Sequence, residues 1–216
     1  MNFQHLTKLI FIVSYISIFA YPSKNFNDNS TVLARENSLN VANPDNSFPL
    51  NSQEKQELDR GKVILKGQKG NYLGRVVATG DINTAWSVLV DYNNFDKFMP
   101  NIISSKVISQ QGNKVVFEQV NVVDLWLFQQ EFKVQIEAAK TKPDKINFEI
   151  VDGDLKKLIG RWEIETISPG KTLVTHAVEV EPGSDTEKAF FYGVYESSLE
   201  ETLAAIALEI NKRDRR

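Results

Sequence analysis

A chain of 216 residues, 42% of them hydrophobic, carries enough apolar material for one domain with a substantial core plus tails, and too little length for two full domains. Its 25 basic and 28 acidic residues leave a formal charge of -3, which excludes the electrostatic footprint of a nucleic-acid binder. The cysteine count is zero, so disulfides, thiolate metal sites, a cysteine nucleophile and a lipid-modified N-terminal cysteine are excluded as well.

The chain begins with Lys8 ahead of an apolar run from Leu9 to Ala20. That run is shorter than the about 20 residues a membrane span needs. It suits a secretory signal peptide over residues 1–20, with Ala20 as the small residue at the cleavage site and Ile18 as a poor match two places earlier. The alternative is an uncleaved anchor formed by residues 9–21. The first reading predicts an exported protein, periplasmic, lumenal or secreted; the second predicts a tethered one. From Tyr21 the composition turns to Asn, Ser, Asp and Pro without a sustained period, which predicts a flexible linker over residues 21–55 and a folded domain over 56–212.

After the polar segment "QEKQELDRG" comes "KVILKGQKGNYLGRVVATG", two β-prone runs around a Gly-containing turn, read as a hairpin or one bulged strand. Asp81 or Asn83 then caps a helix carrying Trp86, Leu89 and Val90 at three- and four-residue steps. The chain adds Tyr92, Phe95, Phe98 and Met99 before Pro100 stops any helical continuation. Those apolar residues cover a core, rim a ligand cavity or meet a membrane.

Beyond Asn101 the period becomes two. In "EFKVQIEAA" Phe132, Val134, Ile136 and Ala138 alternate with Glu131, Lys133, Gln135 and Glu137, and "KINFEI" and "GRWEIE" repeat the pattern. The turn signals "QQGNK", "KTKPDK", "DGD" and "SPGK" leave connections too short for helical crossovers, so the strands are antiparallel. The run Leu125–Phe128, "LWLF", breaks the alternation, as a buried strand end or as a hairpin tip touching a membrane.

The last strand, "TLVTHAVEVEPG", ends at Pro182 and Gly183. Ser184 and Glu187 have capping-box spacing, and Phe191, Tyr195, Leu199, Leu203, Ile206 and Ile210 form one apolar stripe. A helix from Asp185 to about Asn211 is about 40 Å long at 1.5 Å per residue. Strand, short helix, a meander of about six strands and a long terminal helix make an α+β plan. A twisted antiparallel sheet curls, and a helix laid along its concave side leaves a space whose volume depends on side-chain size.

This order, with "AWSVLVDYNNFDKFMPNI", "VVFEQV", "INFEIVDGD", "GRWEIE" and "KTLVTHAVEVEP" at these spacings, resembles the START-like, helix-grip superfamily and within it the polyketide cyclase/dehydrase and coenzyme Q-binding group. The resemblance covers roughly Gly61 to Lys212. It implies a curved antiparallel sheet wrapped around the terminal helix. Between them it implies a pocket for a hydrophobic small molecule such as a lipid, sterol, quinone or polyketide, with the "DYNNFDKFMPNI" piece at the mouth.

Phe95, Phe98 and Met99 are then expected to cover an apolar guest or simply an apolar interior. Trp86 and Trp162 pack a core or line the cavity, and Phe132, Phe148, Phe191 and Tyr195 carry the same two readings. His176 stands in phase with Val174, Val178 and Val180, either as a satisfied core histidine or as a hydrogen-bonding point for a ligand oxygen. For catalysis there is no G-x-S-x-G, no H-E-x-x-H and no phosphate-binding glycine loop. No metal site and no cofactor are expected, since the only other histidine, His5, lies in the leader. By resemblance to the cyclases, His176 with Glu118 or Arg161 would be the candidates for proton transfer.

The leading expectation is a non-catalytic binding or carrier protein for a hydrophobic molecule, with membrane-surface contact and no nucleic acid. A cyclase or dehydrase enzyme and a membrane-associated interaction module are the alternatives, and oligomeric state is not indicated.

Overall fold

Period-two alternation in the sequence becomes one eight-stranded antiparallel sheet, ordered β1-β2-β8-β7-β6-β5-β4-β3. The strands are β1 Ile64–Gln68, β2 Asn71–Thr79, β3 Ile102–Gln111, β4 Lys114–Asp124, β5 Gln129–Thr141, β6 Lys145–Gly153, β7 Leu155–Ser168 and β8 Lys171–Pro182. The helices are α1 Ser52–Asp59, α2 Ile82–Leu89 and α3 Lys188–Asp214, with a short 3-10 helix over Tyr92–Lys97. The computed structural model describes residues 49–124, 129–183 and 188–215, all within the unit Val41–Arg216. The predicted leader, nearly all of the predicted linker, the Leu125–Phe128 run and the Ser184–Glu187 cap lie outside the described residues.

The register sorts side chains onto two faces. One row crosses the sheet as Tyr72, Val178, Gly160, Phe148, Ala138 and Val115, and the next as Gly74, His176, Trp162 and Ile146. Both rows face α3. Residues one position on, such as Arg75, Arg161 and Glu118, face the other way.

The C-terminal half of α3 is seated hard on β2. Leu203, Ile206 and Ile210 are fully buried, each contributing about 1.5–3 kcal/mol by burial alone. Gly74 makes room for this contact, because a Cβ there would stand 2.2 Å from Leu203 Cδ1. Gly80, at φ +153, turns the end of β2 beneath Ile210, whose Cγ2 would lie 2.7 Å from an added Cβ. The Asn211 side chain accepts from the Thr79 amide at 2.5 Å, and Tyr72 Oη donates to Glu196 at 2.9 Å.

Two elements differ from the expected plan. The "QEKQELDRG" stretch, read as polar and unassigned, forms α1, beginning inside the predicted linker. Its apolar anchor is Leu58 alone, and the helix is fixed by a capping box, Asn51 Oδ1 accepting from the Glu54 amide and Glu54 from the Asn51 amide. Lys66, on the face away from α3, donates to Glu54 at 2.7 Å and ties α1 to β1. The second difference is the aromatic segment after α2, which winds into the 3-10 helix; Asp81, not Asn83, caps α2 by accepting from the Thr84 amide at 2.7 Å.

Candidate functional site

Between the sheet and the N-terminal half of α3 lies a cavity of about 680 Å³. It exists because the first half of α3 meets the sheet chiefly at β2, where Tyr195 lies 5.8 Å from the Tyr72 ring and Glu196 accepts from its hydroxyl, and stands off from β5 to β7. Phe191, Tyr195 and Leu199 line the cavity from this half of the helix. Strands β5 to β7 supply the floor with Phe132, Val134, Ile136, Phe148, Leu158 and Trp162. Tyr92, Phe95 and Met99 wall the side next to β3 and β4. The volume falls within the range of small-molecule sites, about 300–1,000 Å³.

Of the residues singled out from the sequence, Phe95, Met99, Phe132, Phe148, Trp162, His176, Phe191 and Tyr195 come together around this cavity. Trp86 and Phe98 do not line it. Trp86 is buried in α2 within the hydrophobic core. Phe98 turns outward and lies under the Arg213 guanidinium, 5.4 Å from the ring centroid. Tyr92 and Phe95 are each 5% exposed; Tyr92 stacks on Phe117 at 4.4 Å and Phe95 meets the same ring edge-on at 6.0 Å, forming an inner wall. The exposed lining residues, a rim, are Phe190 of α3, 52% exposed, together with Glu131, Asp154 and Gly183.

His176 is a buried residue of the cavity lining. Its ring stacks on Trp162 at 3.7 Å and on Phe148 at 5.5 Å, and it is 5% exposed. Burial drives its pKa down to about 3, against a smaller opposing effect of a backbone hydrogen bond to Arg161, so the imidazole is neutral. Its Nδ1 is buried without a hydrogen-bond partner among the described residues, as is Tyr92 Oη. Burial also pushes the Tyr92 and Tyr195 hydroxyls far above the ordinary phenol range.

The other proton-transfer candidates do not share this space. Glu118 faces away from α3, where hydrogen bonds from Lys133 Nζ, 2.9 Å away, and Gln135 Nε2, at 3.1 Å, hold it below the usual carboxylate range. Arg161 faces the same way. Its Nε lies 3.0 Å from Glu163 Oε1, close enough for an ion pair but without hydrogen-bond alignment. Among the described residues no group of three metal-ligating side chains gathers, and no helix is long and apolar enough to cross a membrane.

Sequence reasoning missed Gln119 and Asn121, which line the cavity from β4. The signal was present: both continue, in phase, the apolar stripe of Val115 and Phe117.

A curved antiparallel sheet closed by a long C-terminal helix over an apolar cavity defines a helix-grip, START-like protein, a ligand-binding class. The family model "Polyketide cyclase / dehydrase and lipid transport" matches residues 80–207, more than half of the chain, and the chain belongs to that family. Solved structures share the fold. An aromatase/cyclase from Streptomyces sp. R1128 is 14% identical with a TM-score of 0.56, the match covering 70% of this chain and 95% of that one. A STAR-related lipid transfer protein from Xanthomonas axonopodis is 16% identical with a TM-score of 0.56, covering 68% and 92%. A major latex-like protein from Panax ginseng is 14% identical with a TM-score of 0.51, covering 68% and 98%. A search of curated proteins finds no match.

Proposed function

We propose that the protein binds and carries a hydrophobic small molecule, a lipid, quinone or other isoprenoid, in the cavity beneath α3. The observation that carries this reading is the cavity itself. Protein interiors are close-packed and leave few voids larger than a water molecule, yet this domain keeps about 680 Å³ open at the centre of its apolar core. Each CH2 group transferred there from water contributes about 0.8 kcal/mol, so a long apolar chain is held without a dedicated polar contact.

Carriage is favoured over proton chemistry by the state of His176. A general base works best with a pKa near the operating pH, and this imidazole is held near 3 with Trp162 stacked against it. Glu118 and Arg161 are on the opposite face of the sheet. The half-exposed Phe190 gives the rim an apolar lip suited to exchange with a bilayer, and the apolar run over residues 9–20 fits export or a membrane tether.

The full chain, purified from its natural source and denatured, is expected to release one apolar compound detectable by mass spectrometry, and the emptied protein to bind an isoprenoid quinone saturably, one per chain. Recovery of no such compound, together with linear, unsaturable uptake of the probe, would overturn the reading.

A further inference from the structure

The outer face of the sheet, turned away from α3, is buried over a wider area than the helix on it spans. One row crosses that face as Lys66, Leu73, Ala177 and Arg161, on β1, β2, β8 and β7. Leu73, Ala177 and Arg161 are only 1%, 2% and 8% exposed. The described helix on this face, α1, rests on β1 and β2. A helix about 10 Å across spans about two strands spaced about 4.8 Å apart, so α1 shields Leu73 and stops short of β7. Arg161, two strands beyond β2, is buried all the same. Its Nε has no hydrogen-bond partner among the described residues, and the Glu163 carboxylate beside it, at 3.0 Å, is shared with Lys145 at 3.6 Å. Burying a guanidinium costs free energy that a shared, misaligned carboxylate offsets only in part.

The described chain starts beside this row, where the Pro49 carbonyl accepts from Lys66 Nζ at 2.6 Å. From Lys66 to Arg161 is three strand spacings, about 14 Å. Four residues of extended chain reach at most about 14 Å. Four residues before Pro49 stands Asp45, the one acidic residue among residues 41–48, and Phe48 immediately precedes Pro49. Reach and charge thus select one occupant for the row. We propose that residues 41–48 cross the outer face from Lys66 toward β7 and set the Asp45 carboxylate against the Arg161 guanidinium. Phe48 then covers Leu73, and Asp45 supplies the carboxylate that Arg161 otherwise shares.

The chain contains no cysteine, so introduced thiols report without background. Full-length protein carrying Asn46→Cys and Ala177→Cys, oxidised mildly and run without reductant, is expected to form a disulfide within one chain. Asn46→Cys paired with Ala139→Cys, on the same row two strands past Arg161, is expected to stay reduced. With Ala177→Cys as the single thiol, Asp45→Asn should speed maleimide labelling about tenfold, in line with the loss of a charged hydrogen bond. Should Ala177→Cys fail to fold by circular dichroism, Pro44→Cys with Asn147→Cys, next to Arg161 on the other side, takes its place in the cross-link.

No disulfide, equal cross-linking to positions 177 and 139, or labelling indifferent to Asp45→Asn overturns the proposal. A disulfide between two chains overturns it too and gives the face to a second copy. Because the row lies on the side of the sheet away from the cavity, quinone binding should be the same in Asp45→Asn and wild type, and the carrier reading stands or falls separately.

Discussion

His176 is a buried imidazole, and its titration carries a measurable consequence. Burial lowers its pKa from 6.5 to about 3, so between those values the unfolded chain binds a proton that the folded chain refuses. Stability supplied by the neutral imidazole is intact above about pH 6.5 and is lost as pH falls through the window, by at most about 1.4 kcal/mol per unit. Urea unfolding of wild type and His176→Phe, which keeps a ring between Trp162 and Phe148, should show a smaller loss from pH 7 to pH 4.5 in the variant. Equal losses would place the acid sensitivity elsewhere. Strand parity made much of this scale legible in the sequence. His176 in phase with Val174 and Val178 was readable as inward-facing, and the inward phase of Trp162 already implied that Arg161 pointed out. The same parity put Glu118 outside and Gln119 inside, yet a glutamine in an apolar stripe is informative only once the stripe is known to face open space. Nothing in the sequence reports whether an inward face meets another side chain or a void.

At the scale of elements, α2, the 3-10 helix and the end of α3 are held together by one side chain. Arg213 donates to Asp91 at 2.8 Å and to Glu209 at 2.9 Å while covering the Phe98 ring. The wall segment Tyr92–Met99 is thereby tied to the part of α3 that is already seated. Arg213→Leu is expected to lower stability by about 1 kcal/mol, since the pairs are partly exposed. Repeating the thermal melts in 1 M salt should shrink the difference between variant and wild type; a salt-independent loss would assign the effect to packing on Phe98. The strands and α3 were readable because their periods are long and clean. The short helix α1 was not, because its stability comes from the Asn51–Glu54 cap and the Lys66 contact instead of an apolar stripe. The outward turn of Phe98 was equally hidden, since it depends on a guanidinium more than a hundred residues away in the chain.

Over the whole molecule, stability and ligand capacity separate along α3. The half from Leu203 on is fully seated on the sheet, and the half before it touches the sheet at β2 while leaving room for a guest over β5 to β7. Ala138, in the row with Phe148 and Val115, is buried yet lines the cavity, so Ala138→Phe should fill space without cutting a core contact. We expect isoprenoid affinity to fall at least about tenfold with a change of only a few degrees in melting temperature. Unimpaired uptake by a folded variant would put the guest elsewhere. In wild type, ligand at 100 times its Kd should add about 2.7 kcal/mol to unfolding stability, an increment that Ala138→Phe loses. The strand order also bears on how the chain reaches this state. Strand β2 finds its second neighbour in β8, about a hundred residues later, as in the Tyr72–Val178 pair. A ribosome must therefore synthesise β8 before the first hairpin can complete its hydrogen bonds. Such distant pairing predicts slow, late-committing assembly, with the early hairpin's unsatisfied edge open to chaperones or to misassociation until β8 arrives.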